Sequence, residues 1–327
     1  MQRLTLNCAT PQACFKQSLS VVTLYTNLGE DAVRHGLLET EVETVVTSSE
    51  LLPKFTKILS DQDKVKRIVY FENPVRRTKT DGFRGDLQLI SYWDVISLGK
   101  KTANNNLESV EAEPAAPRPA TPAIIMYTSG STGVPKGVVL THANLVQALY
   151  SIIPTACDAL GISAAVRPDD CYIAILPLAH VLELLAENIM LVVGIPIGYS
   201  SPTTFIDTST AVARGSKGDA SVLRPTVVCV VPTILNRIHK GIKARLAARG
   251  PFFSNLVELC YEYRLKWTRR GHDTPVMNRL IFTKFRAIIG GNIRVLLSGG
   301  APLAADAHDF VRTCLGITLL QARITLL

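Results

Sequence analysis

Four six-residue runs are almost unbroken in apolar and β-branched side chains: AIIMYT at 123–128, CYIAIL at 171–176, TVVCVV at 226–231 and IRVLLS at 293–298. A strand with one face in water alternates polar and apolar residues, whereas a strand covered on both faces reads as a continuous apolar run. These four therefore predict a parallel sheet between layers of helix. Parallel neighbours need crossovers of a dozen or more residues, and the intervals between the runs are long enough to supply them. The same rhythm occurs earlier in the chain. VVTLY at 21–25, helical periodicity at 29–40, VETVVTS at 42–48, a helix at 49–59 and RIVYF at 67–71 follow one another as strand, helix, strand, helix, strand. The expected fold class is α/β with parallel-sheet layers, and chemistry is to be sought in the loops beyond the carboxyl ends of its strands.

Three portions emerge: a first α/β portion at 1–98, a linker at 99–122, and a second α/β portion at 123–327. The middle stretch, GKKTANNNLESVEAEPAAPRPATP, has almost no large apolar side chain with which to offset its ordering entropy, so it is expected to be disordered. A chain of 327 residues that is 47% hydrophobic can bury a substantial core. Its formal charge of +8 admits contact with phosphates, nucleic acid or an anionic membrane without choosing among them. The 7 cysteines are scattered and form no C-x-x-C pair, which argues against structural zinc and favours a reduced intracellular compartment. MQRLTLNCATPQACFKQ has no sustained apolar core of a secretory leader. The run at 176–200 is interrupted by His180, Glu183, Glu187, Asn188 and Pro196, so it reads as buried strand and helix, not as a membrane span.

The stretch YTSGSTGVPKG at 127–137 follows one of the four strands and precedes a helix whose expected cap is Thr141. Hydroxyls at Thr128, Ser129, Ser131 and Thr132, with glycines at Gly130, Gly133 and Gly137, let backbone N–H and O–H donors converge on phosphate oxygens. Lys136 adds the positive charge. A Walker A loop requires Gly before the lysine and Ser or Thr after it, but Pro135 and Gly137 stand there. A flexible Gly/Ser turn would explain the glycines but not the ordered hydroxyl run closing on Pro-Lys-Gly, so the stretch is read as a phosphate-binding loop.

YTSGSTGVPKGVVLTHANL resembles the signature loop of the acyl-adenylate-forming superfamily. ILPLAHVLELLAE, IGYSSPTTF, GSKGDASVLRPTVVCVVPTILNRI and IRVLLSGGAPL fall in the order and spacing of its long-chain acyl-CoA synthetases, especially the arachidonate-preferring animal branch. With VVTLYTNLGEDAVRHGL, the likeness covers about residues 14 to 316. The resemblance implies a long-chain fatty acid CoA ligase. In that reaction a long-chain fatty acid carboxylate attacks the α-phosphate of ATP to form an acyl-adenylate, and the thiol of coenzyme A then displaces AMP. It also implies that Thr128, Ser129, Gly130, Ser131, Thr132, Gly133 and Lys136 hold the phosphates, with the Thr128 hydroxyl on Mg²⁺. Ser298, Gly299, Gly300, Ala301 and Pro302 are similar to the loop that packs against adenine. His180 takes the family position beside the acyl carboxylate and the α-phosphate, and with Lys136 is the expected catalytic pair. By itself, a lone histidine in an apolar stretch reads as a satisfied core residue.

Glu183 and Glu187 are expected to bond locally within their helix, and Leu184, Leu185 and Ile189 to pack. The basic runs at 236–250 and 263–271 read first as solvated helix faces, with peripheral membrane contact the sharper alternative; no nucleic-acid motif accompanies them. The resemblance places the protein at the endoplasmic reticulum or another cytosol-facing membrane. After FVRTCLG the chain departs from the family and reads ITLLQARITLL, where relatives continue to an aromatic-Gly-x-Thr-Glu motif bearing a Mg²⁺ glutamate. The expectation is an internal fragment, truncated at both ends and without the carboxy-terminal lid, with an unpaired apolar sheet edge. A noncatalytic nucleotide-binding fragment or regulatory splice form is the alternative.

Overall fold

The computed structural model describes residues 2–25, 28–59, 63–73, 78–105, 116–128, 135–159 and 167–322. The chain divides into two compact units, Gln2–Leu145 and Val146–Leu327.

The first unit runs α1 (Gln2–Lys16), β1 (Val21–Thr23), α2 (Glu30–Glu39), β2 (Thr44–Ser48), α3 (Leu52–Ile58), β3 (Arg67–Phe71), β4 (Gln88–Ser91), α4 (Tyr92–Asn105), β5 (Pro122–Thr128) and β6 (Lys136–Thr141); α5 (His142–Ala159) begins directly after β6. The β-branched runs at 42–48 and 67–71 become parallel neighbours, with Val45 opposite Ile68, and β4 joins them in parallel as a third strand. Leu37, Leu52, Ile58, Val65 and Leu87 cover Val45 and Ile68 to form the core of this sheet. A second sheet has the order β1-β5-β6, in which β1 is parallel to β5 and β6 returns antiparallel. β5 and β6 thus form an antiparallel pair, and a strand intervenes before the expected helix. Gly99 to Asn105, expected at the start of the linker, instead continue α4. Residues 106–115 of that linker lie outside the described residues.

The second unit contains β7 (Tyr172–Ala174), α6 (Val181–Val193), β8 (Ile197–Tyr199), α7 (Asp219–Leu223), β9 (Val227–Val230), α8 (Pro232–Ala247), α9 (Pro251–Arg269), β10 (Val295–Gly299) and β11 (Thr318–Ala322). Its five strands stand in the order β11-β10-β9-β7-β8, and every pairing is parallel. Side chains alternate between the faces of a strand, so each apolar run serves two cores. Ile173, Val228, Val230 and Leu296 pack with Leu235, Ile238, Phe282 and Phe310 on one face. Tyr172, Ala174, Val227 and Cys229 pack with Leu182, Ala186 and Met190 of α6 on the other. The α/β fold with parallel sheets expected from the apolar runs is the fold observed. The expected unpaired edge falls one strand further out: residues 318–322 pair with β10 throughout, Val295 opposite Thr318 through Gly299 opposite Ala322, and β11 stands as the outer strand of the sheet. TLLQA has enough apolar, extended character to complete the ladder and satisfy the backbone groups of β10.

The amino ends of three adjacent strands are tied by one carboxylate. Asp170, just before β7, accepts hydrogen bonds from the Thr226 hydroxyl at 2.8 Å, the Arg167 backbone N–H at 2.8 Å and Arg294 Nε at 2.9 Å. Thr226 precedes β9 and Arg294 precedes β10. The opposite, carboxyl ends are left to the loops.

Candidate functional site

In the second unit the chain crosses from β7 to β8 on one side, then returns to build β9, β10 and β11 on the other. This reversal makes the carboxyl ends of β7 and β9 a topological switch point, where the loops diverge and leave a crevice. His180 follows β7, Val231 follows β9, and residues 300–303 follow β10.

His180 is the N-cap of α6, and its Nδ1 accepts the Leu182 backbone N–H at 3.2 Å. With the Nδ1 lone pair so engaged, the neutral ring carries its proton on Nε2, which has no hydrogen-bond partner among the described residues. Desolvation by burial lowers the pKa of the half-buried imidazole below the ordinary histidine value and favours that neutral form. The ring lies against the β10 loop: a Cβ added at Gly300 would stand 3.4 Å from both Cε1 and Nε2 of His180, and 3.9 Å from Cγ1 of Val231. Gly300 has φ +88°, a left-handed conformation that favours glycine, so the backbone geometry, and not a lack of space, accounts for it. Ser298 is fully buried and its hydroxyl has no hydrogen-bond partner among the described residues. Ala301 and Pro302 are exposed beside it, and Gly299 is the last residue of β10. Residues separated by about 120 positions in sequence are therefore brought together at one end of one sheet.

In the first unit, Thr128 ends β5 and Lys136 begins β6, directly opposite one another in register. The Thr128 hydroxyl points across this strand pair towards the Lys136 carbonyl at 3.5 Å, a long contact that leaves it available to a stronger acceptor or to a cation. Lys136 is exposed. Ser129, Gly130, Ser131, Thr132 and Gly133 lie outside the described residues. Thr141 caps α5 as its position suggests: its hydroxyl accepts the Asn144 N–H at 3.2 Å while Asn144 Oδ1 accepts the Thr141 N–H at 3.0 Å.

Glu183 does not bond within its helix as expected, and Glu187 is bonded from the sheet. Both are buried, so water cannot satisfy them, and their partners come from the sheet. The Tyr172 hydroxyl donates to Glu183 Oε1 at 2.7 Å, the Leu176 backbone N–H donates to Oε2 at 3.2 Å, and the Tyr199 hydroxyl donates to Glu187 at 3.1 Å. The spacing His180-x-x-Glu183 was the available signal, since it places a carboxylate three residues after a helix cap. Ile189 packs in the α6 core.

The family model described as AMP-binding enzyme matches residues 7–322. Long chain acyl-CoA synthetase 8 of Arabidopsis thaliana is 40% identical over 313 residues, which is 93% of this chain and 41% of that protein. Long-chain-fatty-acid–CoA ligase 1 of Schizosaccharomyces pombe is 34% identical over 92% of this chain and 42% of its own length. The chain thus spans about two fifths of the curated relatives it matches. Among solved structures, the A domain of a carboxylic acid reductase from Segniliparus rugosus, in complex with AMP and a co-purified carboxylic acid, superposes with a TM-score of 0.66 at 21% identity. That match covers 97% of this chain and 47% of the other. The adenylation domain of a carboxylate reductase from Mycobacterium chelonae gives 0.64, also at 21% identity, over 94% and 43% of the two chains. These likenesses are of fold.

Proposed function

Because the chain belongs to the AMP-binding enzyme family, we propose that it carries the nucleotide- and carboxylate-binding portion of an ATP-dependent long-chain fatty acid CoA ligase. The observation that carries this reading is the meeting of His180 and Gly300 at the switch point, where Nε2 has no hydrogen-bond partner among the described residues and lies beside a left-handed glycine backbone. The long-chain synthetases among its relatives support the choice of acid and of coenzyme A as co-substrate.

In the proposed reaction an oxygen of the fatty carboxylate bonds to the α-phosphorus of ATP. The bond from that phosphorus to the oxygen bridging to the β-phosphate breaks, and pyrophosphate leaves. The thiolate of coenzyme A then bonds to the acyl carbon and AMP leaves. Two anions must approach in the first step, so the site has to offset like charge and hold both groups in line. His180 Nε2–H is the donor proposed for the carboxylate and α-phosphate oxygens, residues 298–302 hold adenine, and Thr128 to Lys136 hold the β- and γ-phosphates. Mg²⁺, when bound, neutralises phosphate charge. Among the described residues no group of three His, Cys, Asp or Glu side chains is placed to hold a metal. That fits an ion which keeps waters and phosphate oxygens and takes few protein ligands, here the Thr128 hydroxyl.

Among the described residues no helix is long and apolar enough to cross a membrane. Peripheral contact with the endoplasmic reticulum or another cytosol-facing membrane is proposed through α9. Its exposed Phe252, Leu256, Leu259 and Tyr263 recur at helical spacing on one side, near Arg249, Lys266 and Arg270. The central test is calorimetric titration of the chain with ATP and Mg²⁺. Lys136→Ala should lose roughly 1.5–3 kcal/mol, about ten- to hundred-fold in affinity; equal affinity in the two proteins would remove the loop from the site.

A further inference from the structure

We propose that Glu183 is the positioning residue for His180. Its carboxyl group closes the turn from β7 onto α6 and so holds the imidazole in one tautomer and one orientation against the β10 loop. The inference rests on the reading of His180 given above but draws on different observations.

A glutamate three residues after a helix cap ordinarily reaches back to the backbone N–H of the cap. That donor is already taken here, since the His180 N–H bonds to the Pro177 carbonyl at 2.8 Å. The Glu183 side chain turns inward instead and is fully buried. One oxygen takes the Tyr172 hydroxyl from the first residue of β7, and the other takes the Leu176 N–H where the strand has just ended. The loop from Leu176 to Glu183 is thereby closed on itself by a side chain, and His180 lies inside it. The backbone of α6 completes the arrangement, because the N–H groups of Glu183 and Leu184 both donate to the His180 carbonyl, at 3.0 and 3.1 Å. His180 is thus fixed at its N–H, its carbonyl and its Nδ1, while Nε2 has no partner among the described residues.

Burial, with the neighbouring Glu187 carboxylate, pushes the Glu183 pKa up to about 8, although its bonds to Tyr172 and Leu176 pull the other way. A largely neutral carboxyl at pH 7 is close in charge and shape to a glutamine amide. The amide oxygen could accept the Leu176 N–H while its NH₂ donates to the Tyr172 oxygen. Glutamine is therefore a conservative replacement, and alanine or methionine is not.

The test uses the 327-residue chain labelled with ¹⁵N-histidine, with the His180 signals identified by their loss in His180→Gln. In the parent protein His180 should show one nitrogen of unprotonated character and one protonated, with a titration midpoint below that of an exposed histidine. Glu183→Ala, and Glu183→Met which preserves bulk should the first not fold, should average the two ring nitrogens and move the midpoint back towards the ordinary histidine value. Glu183→Gln should retain the parent spectrum and midpoint. The proposal is overturned if Ala or Met keeps the parent tautomer and midpoint while only thermal stability falls, since Glu183 would then merely join α6 to the sheet. It is equally overturned if Gln behaves like Ala. No step of this measurement needs nucleotide, so failure of the ATP titration would count against the proposed function and leave this result standing.

Discussion

Asp170 sits where three strands begin, and its partners decide its charge. Burial by itself would raise its pKa, but the bonds from Arg294, the Arg167 backbone and Thr226 outweigh that and hold it below the ordinary aspartate value. A depressed folded pKa means that the carboxylate adds stability at all pH values above the ordinary one, and that this is lost as pH falls through the lower folded value. Asp170→Asn should cost about 3 kcal/mol at pH 7, because it leaves the Arg294 guanidinium without its anion. Urea midpoints measured against pH should show the gap between parent and variant shrinking below about pH 4; a gap independent of pH would mean that packing, not charge, carries the effect. Gly300 tests the opposite end of the sheet. Gly300→Ala puts a methyl group against His180 on a backbone with φ +88° and should destabilise by about 1–2 kcal/mol. The same change at Gly241, in α8 with nothing within 4 Å of the added carbon, should stabilise by about 0.5–1 kcal/mol. Chemical denaturation of the two variants gives both signs in one experiment.

At the scale of elements, the cap at Thr141 shows what a short sequence signal specifies. Its hydroxyl and the Asn144 side chain satisfy each other's backbone N–H groups at the start of α5, and Thr141→Ala should cost about 1 kcal/mol. Faster amide hydrogen exchange confined to residues 142–146 would accompany that loss, and unchanged exchange would place the helix start elsewhere. The strand before that cap was less legible. KGVVLT at 136–141 is short and mostly half-exposed or exposed, so it lacks the continuous apolar character that marked β5, and only pairing with β5 reveals it as a strand. The three-residue β8 was missed for the same reason, since IGY carries too few residues to show a period. Glu183 illustrates the converse. Its position after a helix cap suggested local bonding, and the closed β7–α6 turn redirected it into the core.

For the whole molecule, the resemblance places a Mg²⁺ glutamate and a carboxy-terminal lid in family members outside the matched stretch. The 327-residue polypeptide assayed by itself with ATP, coenzyme A and a long-chain fatty acid should therefore form acyl-CoA at least ~10²–10³-fold more slowly than a full-length relative. Turnover equal to such a relative would show that residues 1–327 suffice for the chemistry. The sequence alone determined the α/β class and the four central strands, because burial on both faces requires apolar residue types at short, regular spacing. The positions of Thr128, Ser298 and Gly299 at the ends of β5 and β10 followed from the same local signals. Only the tertiary structure decided that β9 and β8 flank β7, so that His180 meets Gly300, that Asp170 joins three strand starts, and that residues 318–322 add an outer strand beside β10. These are contacts between residues far apart in the chain. Strand order is set by how the crossovers pack, and no local pattern of residues encodes it.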